Sequence, residues 1–170
     1  MLNKLKDITT FIFDVDGVLT DGSVFVTEAG EQCRTFNTKD GYAIQLAVKC
    51  MYNVCVITGG KSEGVRHRLN GLGVTDVFLG AHTKLDIYKD YISKNYIDPA
   101  NILYMGDDIP DIDIMKVIGL PTCPADAAEE VKAVSRYISP VLGGRGCVRD
   151  VIEKVLKIQG KWMSENATSL

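Results

Sequence analysis

Phe11-Ile12-Phe13-Asp14-Val15-Asp16-Gly17-Val18-Leu19-Thr20-Asp21 is an apolar run that stops at two carboxylates spaced two apart, with a glycine directly after them. β-Branched and aromatic residues over Thr9 to Phe13 predict a short buried strand that ends where the charges begin. In an open α/β sheet the carboxyl ends of the strands open into the ligand crevice, so Asp14 and Asp16 are expected at its mouth. Alternation puts both side chains on one side if the strand continues, whereas Gly17 predicts a turn. A plain Asp-rich turn after a strand would carry the same residues. What the rest of the chain supplies to these carboxylates separates the two readings.

Further along, Ser23–Thr27 and Gln32–Asn37 predict two short strands around Glu28-Ala29-Gly30-Glu31, hence a β-hairpin at 23–37. Helical periodicity covers Lys39–Cys50, and Asn53–Thr58 is a second buried strand. A helix over Lys61–Leu72, a strand at Thr75–Leu79 and a helix from about His82 to Lys94 follow. Asn101–Met105 is a strand ending in Gly106-Asp107-Asp108. Pro110–Val117 (helix), Leu120–Cys123 (strand), Ala125–Val134 (helix) and Arg136–Ile138 (strand) come next. Gly143-Gly144-Arg145-Gly146 reads as a flexible loop before a closing helix at Cys147–Ile158. The polar tail from about Gly160 to Leu170 reads as loose apart from Trp162. This alternation predicts one α/β domain over 1–170: a three-layer sandwich whose parallel, Rossmann-like sheet has helices on both faces.

The 170 residues are 46% hydrophobic and 24% charged with a net charge of −3, which argues against a nucleic-acid groove or a cationic membrane surface. The first apolar run is broken by Asp14 and is too short for a signal core or a membrane span. Five scattered cysteines (Cys33, Cys50, Cys55, Cys123, Cys147) lack metal-type spacing and predict reduced thiols in a cytoplasmic protein.

Gly106-Asp107-Asp108-Ile109-Pro110-Asp111 puts more acids at a strand end, an arrangement that also suits a helix N-terminus. Converging with Asp14 and Asp16, however, each pair would repel by about 4 kcal/mol at 4 Å in an effective dielectric of 20. A fold tolerates that with a cation, and all-oxygen ligands favour Mg²⁺. Thr58-Gly59 is either a simple strand-to-helix turn or a phosphate cradle of hydroxyl and backbone N–H donors. Lys84 resembles any solvated helix lysine until a phosphate facing a carboxylate requires a positive charge nearby.

Asp-x-Asp-Gly, a strand ending in Thr, a Lys and then Gly-Asp-Asp-x-x-Asp, in that order over about residues 8–125, resemble the haloacid dehalogenase superfamily of phosphatases. The resemblance implies that Asp14 attacks phosphorus to form an aspartyl-phosphate and that Asp16 is the general acid and base. It also implies phosphate binding by Thr58, Gly59 and Lys84. Mg²⁺ would be held by Asp14, the main-chain carbonyl of Asp16 and Asp107, with Asp108 and Asp111 as outer support. The intervals from Asp14 to Thr58 and from Thr58 to Lys84 are too short for a cap domain.

Phe36-Asn37-x-x-Asp40-Gly41-Tyr42, with Gly143-Gly144-Arg145-Gly146 and Arg149-Asp150, is similar to the capless 3-deoxy-D-manno-octulosonate 8-phosphate phosphatases. That resemblance implies release of a 2-keto-3-deoxy sugar acid for lipopolysaccharide assembly. It also implies a homotetramer in which hairpins pack together and a neighbour's tail helps to shut the site. Val24, Phe25, Val26 and Phe36 fit such packing, since the hairpin offers little scaffold to bury them. Arg68, Arg66 and Arg145 are expected to meet the sugar acid's carboxylate. Gly60 is also expected to face substrate, where many relatives carry a charged residue, so a nonulosonate 9-phosphate remains an alternative substrate. A phospho-receiver signalling domain is the rival from another class, and Asp16 is the residue that separates the two.

Overall fold

The structure is a computed structural model that describes residues 2–168. In chain order its strands are β1 (Thr10–Phe13), β2 (Phe25–Val26), β3 (Gln32–Cys33), β4 (Asn53–Ile57), β5 (Asp76–Phe78), β6 (Ile102–Met105), β7 (Leu120–Cys123) and β8 (Tyr137–Ile138). The helices are α1 (Leu2–Leu5), α2 (Thr38–Lys49), α3 (Glu63–Asn70), α4 (Lys84–Lys94), α5 (Ile112–Met115), α6 (Glu129–Val134) and α7 (Cys147–Ile158). Six strands form one parallel sheet in the order β5-β4-β1-β6-β7-β8, while β2 and β3 pair antiparallel by themselves. The expected parallel α/β sandwich with a hairpin after the first strand is what forms.

β1 sits where the chain's direction of travel across the sheet reverses, with β4 on one side and β6 on the other. A parallel sheet opens its ligand crevice at such a switch point, beyond the strands' carboxyl ends. Alternation along β1 feeds two cores. Phe11 and Phe13 pack with α2, α3 and α7, whereas Ile12 packs with α4, α5 and α6. Every residue of β1, β6 and β7 is buried, the near-continuous apolar signature of strands covered on both faces.

Two helix starts bear on the crevice. The Asn37 side chain caps α2 by accepting from the backbone N–H of Lys39 at 2.8 Å and of Asp40 at 3.4 Å. Asp40, buried in the first turn of α2, accepts from the Arg149 N–H at 2.7 Å and so caps α7 from another element. Burial pushes the Asp40 carboxyl up to about 6 against the pull of the backbone N–H groups at the start of α7.

Several local expectations need correction. The hairpin ladder has only two residues on each strand, because Arg34 leaves it to bond Asp16 and Phe36 packs on the protein's own core. The helix expected at Pro110–Val117 is split into a 3₁₀ turn (Ile109–Asp111) and α5, with the Asp111 carboxylate accepting backbone N–H groups at the turn's start. α6 starts at Glu129 rather than Ala125, and α1 was not anticipated.

The glycine loop at 143–146 is seated rather than flexible, with the Gly144 N–H bonded to the Val18 carbonyl at 2.9 Å. The tail, expected to be loose, packs as far as it is described. Arg149 lies between the rings of Tyr42 and Trp162, at 5.6 Å and 5.2 Å from their centroids. The Tyr42 hydroxyl donates to the Ala167 carbonyl at 2.9 Å, next to a 3₁₀ turn at Glu165–Thr168. The last two residues of the expected tail, 169 and 170, lie outside the described residues.

Candidate active site

β1 ends at Asp14, whose carboxylate accepts the Val15 N–H at 2.7 Å. The chain then enters a tight turn over Val15–Leu19 in which Asp16 is extended and Gly17 has φ +82°. Thr20 closes this turn: its buried hydroxyl accepts the N–H groups of Gly17 and Gly22 and donates to the Val15 carbonyl. The turn sends Asp14 and Asp16 into the crevice from consecutive loops rather than along one strand.

β6 delivers the second acidic group. Asp14, Asp107 and Asp111 each offer an oxygen, and these atoms all lie within 4.8 Å of one another. Gly17 makes the approach of Asp107 possible, since a β-carbon there would stand 1.9 Å from Asp107 Oδ2. Asp111 is fully enclosed and has its bonds committed. Oδ1 accepts from Lys84 Nζ at 2.8 Å and from the Tyr104 hydroxyl at 2.5 Å, and Oδ2 accepts the N–H groups of Asp107 and Asp108. Asp111 therefore braces the loop that carries Asp107. Asp108 is exposed and caps the 3₁₀ turn through the Ile109 N–H.

Lys84, the first residue of α4, is buried with Nζ 2.9 Å from Asp14 Oδ2 and 2.8 Å from Asp111 Oδ1. Burial alone would lower the ammonium's pKa, but Asp14 and Asp111 more than offset it and the net direction is upward. One lysine does not neutralise the cluster. Burial first, and Asp111 second, push the Asp14 carboxyl up to about 7. Burial, then Asp14 and Asp111, push Asp107 to about 7 as well. Such a buried, under-compensated set of oxygens fits a hard divalent cation, which would reverse both shifts.

Thr58 ends β4 beside β1, is buried, and accepts the Gly60 N–H at 3.1 Å. Backbone bonds from Ala81 to Thr58 and from Gly80 to Gly60 hold this turn against the segment leading into α4. Thr58, Gly59 and Lys84 thus come to the same strand ends as Asp14. Beside Gly59 and Gly60 opens a cavity of about 1020 Å³ lined in part by Arg34, Phe36, Lys61, Val65 and Arg68.

The expected substrate residues divide. Gly60 and Arg68 line the cavity. Arg66 does not: its guanidinium bonds the Val77 carbonyl at 2.7 Å and pairs with Glu63, on the β5 side of α3. Arg145 is exposed beside Asp21, at 3.6 Å, and is not among the cavity's lining residues. Arg34 was missed altogether, although its guanidinium holds both oxygens of Asp16. It is one basic residue on a predicted hairpin, and nothing in its spacing from Asp16 signals the contact.

A family model described as haloacid dehalogenase-like hydrolase matches residues 69–142. The 3-deoxy-D-manno-octulosonate 8-phosphate phosphatase of Escherichia coli (strain K12) is 38% identical over 161 residues, which cover 95% of this chain and 86% of the relative. The chain belongs to the 3-deoxy-D-manno-octulosonate 8-phosphate phosphatase family of haloacid dehalogenase-like hydrolases. Solved structures of this octulosonate phosphatase family superpose closely. The Yersinia pestis enzyme does so with a TM-score of 0.92 and 33% identity, over 94% of this chain and 86% of that one. The Moraxella catarrhalis enzyme, in complex with a magnesium ion, a phosphate ion and a KDO molecule, gives 0.93 and 32%, over 99% and 97%. The expected family and its capless architecture are both found.

Proposed function

We propose that this chain is a Mg²⁺-dependent phosphatase that hydrolyses 3-deoxy-D-manno-octulosonate 8-phosphate to the free sugar acid and phosphate, in lipopolysaccharide biosynthesis in the cytoplasm. The observation that carries the reading is Asp14, buried between Lys84 and Asp107 at the sheet's switch point, in a chain so similar to an enzyme solved with magnesium, phosphate and KDO.

Asp14 is the nucleophile. One of its oxygens bonds phosphorus while the bond from phosphorus to the sugar oxygen breaks, and Asp16 gives its proton to that departing oxygen. Water then attacks the aspartyl-phosphate, Asp16 takes the water's proton, and Asp14 leaves as a carboxylate. Lys84, Thr58 and the backbone N–H groups around Gly59 hold the phosphoryl oxygens. Mg²⁺, held by Asp14, Asp107 and the main-chain carbonyl of Asp16, with Asp111 and Asp108 as outer support, supplies Lewis-acid neutralisation of the phosphate's charge. Gly60 and Arg68 face the sugar acid, and Arg68 is the cation for its carboxylate.

Among the described residues no helix is long and apolar enough to cross a membrane. The hairpin tip supports assembly as a homotetramer, because Phe25 is 71% and Val26 60% exposed within one chain. Phe25→Glu should then lower the mass seen by light scattering, and a monomeric unmodified chain would remove this part of the reading.

Side-by-side hydrolysis of the octulosonate 8-phosphate and a nonulosonate 9-phosphate, with and without Mg²⁺, tests the whole. Faster Mg²⁺-dependent release from the 8-phosphate is expected. Preference for the 9-phosphate would move the substrate, and a stable phosphoprotein without turnover would favour a receiver domain.

A further inference from the structure

Asp16 is gripped by a residue from another element. Arg34 follows β3 directly; its Nε donates to Asp16 Oδ1 at 2.6 Å and its Nη2 to Oδ2 at 3.0 Å. A third donor, Nη1, bonds the Gln32 carbonyl at 3.2 Å and ties the guanidinium to the hairpin's own backbone. The Arg34 side chain is 6% exposed and that of Asp16 35%, so the fork is packed while its carboxylate keeps an open face. Gly60 leaves the room: a β-carbon there would lie 3.3 Å from Arg34 Nη2 and 3.6 Å from Asp16 Oδ2. Two parallel bonds from a planar fork fix the plane of a carboxylate, which a point charge such as lysine does not do.

We propose that Arg34 is a positioning residue that aims the Asp16 carboxylate for proton transfer. This rests on the reading of Asp14 as nucleophile and Asp16 as acid and base. The contribution of Arg34 is greatest where Asp16 has to take a proton. In that step the water oxygen bonds phosphorus, the bond from phosphorus to Asp14 breaks with its electron pair returning to Asp14, and the water's proton goes to Asp16. With an aryl phosphate the preceding step makes no such demand. The Asp14 oxygen bonds phosphorus, and the aryl oxide departs as a stable anion with the electron pair of the broken bond.

The two steps separate in a rapid-mixing experiment on the full chain with Mg²⁺ and 4-nitrophenyl phosphate. Arg34→Ala is expected to keep the initial release of nitrophenolate within about twofold of the parent chain while slowing the steady state by about tenfold or more. Arg34→Lys should regain part of that loss, having the charge without the fork. Equal slowing of both phases, no slowing of either, or a raised KM with unchanged kcat would each overturn the proposal. If the alanine variant does not fold, Arg34→Gln takes its place with the same expected split. Failure of the functional reading has a different signature: the parent chain itself would release no nitrophenolate, and the roles of Asp14, Asp16 and Arg34 would fall together.

Discussion

Gly17 and Asp107 touch at a point where no side chain fits: a β-carbon on Gly17 would stand 1.9 Å from Asp107 Oδ2, and φ at Gly17 is +82°. Strain and collision act together, so Gly17→Ala should destabilise the fold by about 1–3 kcal/mol and displace Asp107 from Asp14. Denaturant titration and Mg²⁺ affinity measured on the same samples check it. Loss of stability without weaker Mg²⁺ binding would dissociate the turn from the acidic cluster.

Asp14→Asn keeps the side chain's size and removes the attacking oxygen's charge. Phosphate release from an aryl phosphate should fall on the order of a thousandfold or more. Survival of that activity at close to the parent rate would exclude the aspartyl-phosphate route.

The acidic cluster sets how Mg²⁺ and pH act on stability. Asp14 and Asp107 have ordinary values of 3.8 and are pushed to about 7 in the folded, metal-free chain. Between those limits the folded state binds more protons than the unfolded one, so metal-free stability is fullest at the acid end and falls as pH rises toward 7. Asp40, pushed up to about 6, adds a part that does not depend on metal. Mg²⁺ needs the deprotonated carboxylates, so the gain in Tm that it brings should grow from pH 5 to about pH 8. Thermal scans with Mg²⁺ or with chelator provide the measurement, and a gain that is flat with pH would contradict it.

Tyr104→Phe removes one donor from the enclosed Asp111 carboxylate and leaves the ring packing in place. A cost of about 1–2 kcal/mol is expected, together with a severalfold loss of kcat as the Asp107 loop loosens. Chemical denaturation and steady-state assay read the two effects separately.

Much of the site was legible because its chemistry sits at strand ends. A strand that stops at Asp14, another at Thr58 and a third before Asp107 announce a crevice, and parallel topology brings the three together. Lys84 was legible only through the charge that those acids require. What escaped depends on contacts between elements whose sequence carries no periodic signal. Arg34, Arg66 and Arg145 look alike in the chain, yet the first grips Asp16, the second bonds a strand carbonyl and the third stays in solvent. The docked tail escaped for a similar reason: Trp162 was its single apolar marker, and its partners Tyr42 and Arg149 lie on two distant helices.

The four residues of β1 divide their side chains between the two helical layers by parity. A single codon inserted within Thr10–Phe13 would exchange the layers served by Phe11 and Ile12 and rotate everything that follows by half a turn. This segment can therefore accept new apolar residues far more readily than a new length.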